Sequence, residues 1–320
     1  MRPGLVRLNR LAPLSALALL FASVLLFVSR PAFAAPAAGN PGYREYSWTD
    51  AARNRELRVA AWYPTPETAL DMHYGPFPGH AAVGAKMADG KYPLLLFSHG
   101  SGGHRFNQYY LAEFLSAHGY IILSVQHPGN NTWDNKDAGT PRNLRNRPKD
   151  ISFVLDRALA ESGLAEHVDS ARIGAAGHSM GGYTALVLMG AVPHVGGKPF
   201  DTTLSDPRIH AAVLMAPGVP ELFDKAAMAE LHGPVLLVLS GSDEILHGRE
   251  QAYRDYLPPD TDYLEFPEAG HFVYLMDCPP DVAKNASHPC NDFGTPRSEI
   301  HPMLEKAALE FFDSTLRSSE

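Results

Sequence analysis

The residues from Arg172 to Leu188, RIGAAGHSMGGYTALVL, constrain this chain more than any other stretch. A short apolar run of strand character passes into a helical run through Gly177, His178, Ser179, Met180 and Gly181. A turn this tight lifts the serine hydroxyl clear of a sheet, and a Cβ at either flanking position would collide with neighbouring backbone, so both are glycine. The helix that begins directly after Ser179 turns its positive end towards any negative charge forming there. The pattern G-x-S-x-G between strand and helix therefore predicts a nucleophilic serine at the carboxyl end of a strand.

The rest of the chain supplies a sheet for that strand. From Tyr92 onward, continuous apolar runs alternate with longer amphipathic ones: YPLLLFSHG, a helix over 105–118, YIILSVQ, a helix over 149–162, then the serine turn with a helix over 180–190. HAAVLMAPG (210–218), PVLLVLSGSD (234–243) and DYLEFPEAG (262–270) read as further strands, and a helix over 299–317 follows. Unbroken apolar strands joined by helices describe an α/β fold, a mostly parallel central sheet with helices on both faces. YREYSWTD and ELRVAAWYP, joined by AARNR, predict an N-terminal antiparallel hairpin. APAAGNPG (35–42) reads as a flexible lead-in, Pro64 to Gly90 as an irregular connection, and the polar NNTWDNKDAGTPRNLRNRP as loop.

Parallel sheets place their chemistry beyond the carboxyl ends of the strands. A serine hydroxyl needs a base to take its proton and a carboxylate to orient that base, and for this topology the chain order is serine, acid, histidine. Asp243 stands just past one strand, with Glu244 beside it as the alternative acid, and His271 stands just past the next. His178, inside the turn, reads as packing, and His127, His247 and His301 do not directly follow the last core strand. Two backbone N–H groups should hold the oxyanion: that of Met180, after the serine, and that of Ser101 in the loop HGSGG. That glycine-rich loop lacks the G-K-[ST] ending of a phosphate cradle.

Composition narrows the partners. Of 320 residues, 45% are hydrophobic and 19% charged, and a net charge of -8 offers no basic stripe for nucleic acid. Residues 1–34 read as a signal peptide: Arg2, Arg7 and Arg10 lead an apolar run over 11–28, and AFA (32–34) offers a cleavage site after Ala34, with an uncleaved anchor as the alternative. The catalytic domain is then 35–320, secreted or periplasmic, with no stable membrane association after cleavage. In an oxidising compartment Cys278 and Cys290 predict one disulfide, and two cysteines without a matched histidine pair do not complete a metal site.

With these residues placed, the chain resembles the α/β-hydrolase superfamily. More narrowly it is similar to the secreted bacterial predicted dienelactone hydrolases, relatives of the platelet-activating-factor acetylhydrolases and of cutinase-like polyester hydrolases. The resemblance rests on WYP, YPLLLFSHGSGG, HGYIILSVQHPG, IGAAGHSMGGYTAL, VLMAPG, VLSGSDEI, AGHFVYL and the late cysteines. It departs from dienelactone hydrolases proper, whose nucleophile is cysteine, and from the acetylhydrolases, whose acid ends the strand that here closes in LMAPGVP. The implied activity is hydrolysis of a small or short-chain carboxylic ester by Ser179, His271 and Asp243 through an acyl-enzyme, without a cofactor. An amidase or peptidase and a polyester hydrolase share that triad, and a hydrolase fold with a dead site would be a binding protein. Trp133 and Tyr274 are the expected substrate walls. No oligomeric state follows from the sequence.

Overall fold

A computed structural model describes residues 39–284 and 289–317. The leader expected at 1–34 lies outside the described residues. The strands are β1 (Asn40–Asp50), β2 (Arg55–Thr65), β3 (Leu70–Tyr74), β4 (Phe77–Val83), β5 (Tyr92–Ser98), β6 (Ile121–Gln126), β7 (Val168–His178), the short pair β8 (His194–Val195) and β9 (Lys198–Pro199), then β10 (Ala211–Met215), β11 (Val235–Ser240) and β12 (Asp262–Phe266). The α-helices are α1 (Tyr109–Ala117), α2 (Pro141–Ala160), α3 (Met180–Leu188), α4 (Ala252–Tyr256), α5 (Pro280–Ala283) and α6 (Arg297–Phe312). Among the described residues no helix is long and apolar enough to cross a membrane.

One sheet runs in the order β12-β11-β10-β7-β5-β6-β2-β1-β4-β3. The six strands from β12 to β6 are mutually parallel, and β2 joins β6 antiparallel. Both faces are covered, which is why the strands read as unbroken apolar runs. Leu94 and Leu96 of β5 pack with Ile151, Val154 and Leu155 of α2 and with Leu186 of α3 on one face. Leu95 and Phe97 pack with Leu111 and Leu115 of α1 and Leu304 and Phe312 of α6 on the other.

Three sequence expectations need correction. Residues 40–42 are not a lead-in but the start of β1, paired with Tyr63–Thr65. Residues 64–90 are not irregular: β3 and β4 form a hairpin, and Gly42 and Tyr43 of β1 pair with Ala82 and Val83 to attach it to the sheet. The prolines cluster at element ends, Pro64 and Pro66 around the end of β2 and Pro76 and Pro78 around the β3–β4 turn, where few ladder hydrogen bonds are lost. Helix α2 begins at Pro141, eight residues ahead of expectation. The Thr140 Oγ1 caps it by accepting from the Asn143 N–H at 3.2 Å. Pro148 cannot donate to the Leu144 carbonyl, and the Tyr183 hydroxyl donates to it instead at 3.2 Å. The first half of α2 looked like loop because its buried stripe is polar, with Asn143, Arg147 and Asp150 on the face that Ile151 and Val154 continue.

Candidate active site

Strand β7 delivers Ser179 to the top of the sheet in a conformation few non-glycine residues adopt, φ 53° and ψ -117°. That strain is held by backbone. The Ser179 N–H donates to the Met215 carbonyl at 2.9 Å, and the Ser179 carbonyl accepts from the Gly218 N–H at 2.9 Å and the Tyr183 N–H at 3.2 Å. Cβ atoms at Gly177 and Gly181 would run into the backbone of Gly181 and of Ser98, so no other residue fits either place. Gly100 is also close-packed, since a Cβ there would lie 3.1 Å from His178 Nδ1 and 3.4 Å from Ser179 Cβ.

The loops after β11 and β12 bring an acid to a histidine. His271 Nδ1 donates to Asp243 Oδ2 at 2.6 Å, which leaves Nε2 as the basic atom of the ring. Asp243 Oδ1 accepts from the N–H groups of Ile245 at 2.9 Å and Leu246 at 2.6 Å. Burial alone would raise the Asp243 carboxyl, but the bonds from His271 and these amides outweigh it and hold the group below the usual aspartate range. Glu244, the other candidate acid, does not touch the ring; its Oε2 accepts from the His271 N–H at 2.8 Å. His178 Nε2 donates to the His271 carbonyl at 2.8 Å. Burial, then the neighbouring His271, lowers His178 to about 3, so it stays neutral. The histidine is thus fixed through its ring, its amide and its carbonyl.

Ser179 and His271 open into one cleft of about 360 Å³, and the Gly100–Gly103 loop forms part of its wall. Met180 is the first residue of α3, where an N–H has no carbonyl within the helix to bind. The Ser101 N–H makes no hydrogen bond among the described residues. Across the cleft stand Phe77, Ile245, Phe272, Leu275 and Met276, together with the disulfide of Cys278 and Cys290, whose Cα atoms are 5.6 Å apart.

Neither expected substrate wall lies in this cleft. Tyr274 is fully buried beneath it, its hydroxyl bonded to Ser240 Oγ at 2.8 Å, because the 3-10 turn from His271 to Tyr274 turns that ring into the core. Trp133 is 68% exposed and lines a neighbouring groove, its ring centroid 5.9 Å from that of His104. The cleft takes Thr132 from that loop instead. Sequence reading missed Phe77, hidden in the stretch taken as irregular; Leu275 and Met276 lie in the cysteine-tied loop of 272–298 that the sequence points to as a pocket segment, though neither stands out by itself.

Comparison with known proteins fits this geometry. The ferulic acid esterase of Streptomyces cinnamoneus superposes with a TM-score of 0.69 at 25% identity, over 89% of this chain and 93% of that one. The chain belongs to the α/β-hydrolase superfamily. Within this α/β-hydrolase, residues 67–136 match the family of platelet-activating factor acetylhydrolase, isoform II, and residues 105–195 match the prolyl oligopeptidase family. A bis(hydroxyethyl) terephthalate hydrolase of Streptomyces coelicolor is 27% identical over 189 residues, 58% of this chain and 52% of that protein. Cutinase est1 of Thermobifida alba is 25% identical over 231 residues, 66% of this chain and 69% of its own. The match thus spans about half the length of the terephthalate-ester hydrolase and about two thirds of the cutinase.

Proposed function

We propose that this α/β-hydrolase is a serine esterase, cleaving carboxylic esters through an acyl-enzyme on Ser179. The observation that carries the reading is the His271–Asp243 pair opening with Ser179 into one cleft. His271 takes the serine proton as Oγ attacks the ester carbonyl, and Asp243 orients the ring and stabilises the imidazolium. The Ser101 and Met180 amides hold the oxyanion, His271 then protonates the leaving alcohol, and water releases the acid by the same steps. No step calls on a cofactor.

The substrate class follows from the walls. Aromatic and aliphatic side chains and a disulfide around about 360 Å³ suit a compact apolar acyl group, short-chain or aromatic. The names of the relatives, a terephthalate-ester hydrolase, cutinases and a ferulic acid esterase, support esters as the substrate class. The charged and apolar pattern of residues 1–34, together with the disulfide, supports export.

The test is a stopped-flow burst of p-nitrophenol from short-chain p-nitrophenyl esters, run beside bis(hydroxyethyl) terephthalate and a p-nitroanilide. A burst that Ser179→Ala abolishes is expected, with cleavage of the esters far ahead of the anilide. A burst unchanged in Ser179→Ala would overturn the serine assignment, and an anilide cleaved as fast as the esters would make the protein an amidase or peptidase.

A further inference from the structure

Arg147 is completely buried, yet its four hydrogen-bond acceptors are all neutral. Nη2 donates to the His99 carbonyl and to Ser98 Oγ at 3.2 Å, Nη1 to Asn130 Oδ1 at 2.6 Å, and Nε to Thr184 Oγ1 at 3.2 Å. Burying a guanidinium is costly, and one so fully bonded fixes everything it touches.

What it touches leads to both proposed oxyanion donors. On one side, Arg147 grips the carbonyl of His99, the residue whose Nδ1 donates in turn to the Gly100 carbonyl at 2.7 Å. That carbonyl also accepts from the Gly103 N–H at 3.1 Å. In a trans peptide the N–H points opposite to the C=O, so holding the Gly100 carbonyl inward aims the Ser101 N–H outward. Asn130, bonded to Arg147 through Oδ1, also donates from Nδ2 to Ser101 Oγ at 2.9 Å. On the other side, Thr184 Oγ1 accepts from Arg147 and donates to the Met180 carbonyl at 2.9 Å, which ties the guanidinium to the first turn of α3.

We infer that Arg147 is a positioning residue for the oxyanion hole, clamping the His99–Ser101 loop and the first turn of α3 into one register. The inference rests on the esterase reading and on the Ser101 and Met180 amides as the donors. Arg147 does not reach the substrate; it acts through the two peptides it fixes, and its positive charge adds to their field. Small errors of aim at an oxyanion donor matter because the hole works only when it is preorganised.

The experiment compares Arg147→Lys and Arg147→Met with wild type, and Arg142→Met, an exposed arginine of the same helix, serves as the control. A full donor loss costs about 10²–10³ in kcat, so a displaced hole should cost about 10- to 100-fold in kcat for Arg147→Met, with KM nearly constant. Affinity for a boronic acid, which becomes tetrahedral on Ser179, should fall in parallel, and Arg147→Lys should recover part of both losses. Thr184→Val, which keeps the shape and removes one link, covers the case in which Arg147→Met fails to fold. It should lower kcat several-fold, and combining it with Arg147→Lys should give less than the product of the two effects. A rise in KM with kcat intact, boronate affinity unchanged, or fully multiplicative effects would each overturn the clamp. Loss of the Ser179→Ala effect would instead overturn the esterase reading on which it rests.

Discussion

Among the described residues, two aspartate–histidine hydrogen bonds lie beyond the carboxyl ends of the parallel strands, and the histidine of one of them lines a cleft. His127 Nδ1 donates to Asp150 Oδ2 at 3.0 Å while Ser98 Oγ bonds His127 Nε2 at 3.0 Å, an array of serine, histidine and aspartate by distance alone. His271 and Asp243 make the same kind of bond at 2.6 Å beside Ser179. The surroundings separate them. Asp150 also binds Arg53 at 2.8 Å and Arg55 at 2.6 Å, and Ser98, His127 and Asp150 are buried, with the two arginines rather than the array lining the neighbouring groove. Ser179 stands at a strained turn over a cavity, with free amides nearby. On the esterase reading proposed above, a serine–histidine–aspartate array is not sufficient for chemistry: access and oxyanion donors separate the two, and the enclosed array ties helix α2 to the strand ends.

Replacing each aspartate with asparagine should break the likeness most sharply. Asp243→Asn should lower kcat by about 10⁴, by analogy with the loss on the same change in a serine protease triad, while the urea midpoint moves little. Asp150→Asn should do the reverse. Leaving Arg55 without its partner should cost about 3 kcal/mol or more of stability, whereas folded molecules keep most of their labelling by a fluorophosphonate probe. Equal loss of labelling in both variants would erase the distinction.

The next prediction concerns acid. Burial, reinforced by Arg147, lowers His127 to about 3 and His99 well below the usual histidine range, and burial lowers His104 to about 4. These groups stay neutral in the folded protein while the unfolded chain takes up protons below about pH 6.5, so stability should fall as pH drops from there towards 4. Each histidine contributes up to about 2 kcal/mol of that loss by pH 5. Asp150 and Asp243, whose folded values are depressed against the pull of burial by His127 with Arg55 and by His271 respectively, add stability above pH 4 that is lost only further into acid. Urea midpoints at pH 7, 6 and 5 measure the slope. His127→Gln should flatten it and the exposed His247→Gln should not; equal slopes in both would remove the enclosed array as its source.

The two arrays were not equally legible in the sequence. Ser179, Asp243 and His271 announce themselves because each follows an apolar strand, and glycines mark the turn where backbone leaves no room for a Cβ. His127 also ends a strand, but its partner Asp150, and Arg147, which bonds Ser98 of the same array, lie in RNLRNRPKD, where a buried polar stripe of a helix looks like a solvated loop. Periodicity reports apolar burial and cannot see burial made tolerable by hydrogen bonds. The same limit explains Tyr274, an aromatic next to the site whose direction depends on a single 3-10 turn, and Phe77, carried by a hairpin that its prolines disguised.

The smallest effect lies on the side of the open pair. Glu250 is buried, and neither carboxylate oxygen has a hydrogen-bond partner among the described residues, in contrast to Asp150, whose oxygens bind two arginines and a histidine. Burial, and after it the charge of Asp243, raises the Glu250 carboxyl above the usual glutamate range. An acid whose folded value is raised subtracts stability once pH exceeds its unfolded value, so Glu250→Gln should leave the protein about as stable at pH 4 and more stable at pH 8. A destabilisation as large as that of Asp150→Asn would show that Glu250 is bonded as tightly as the enclosed array.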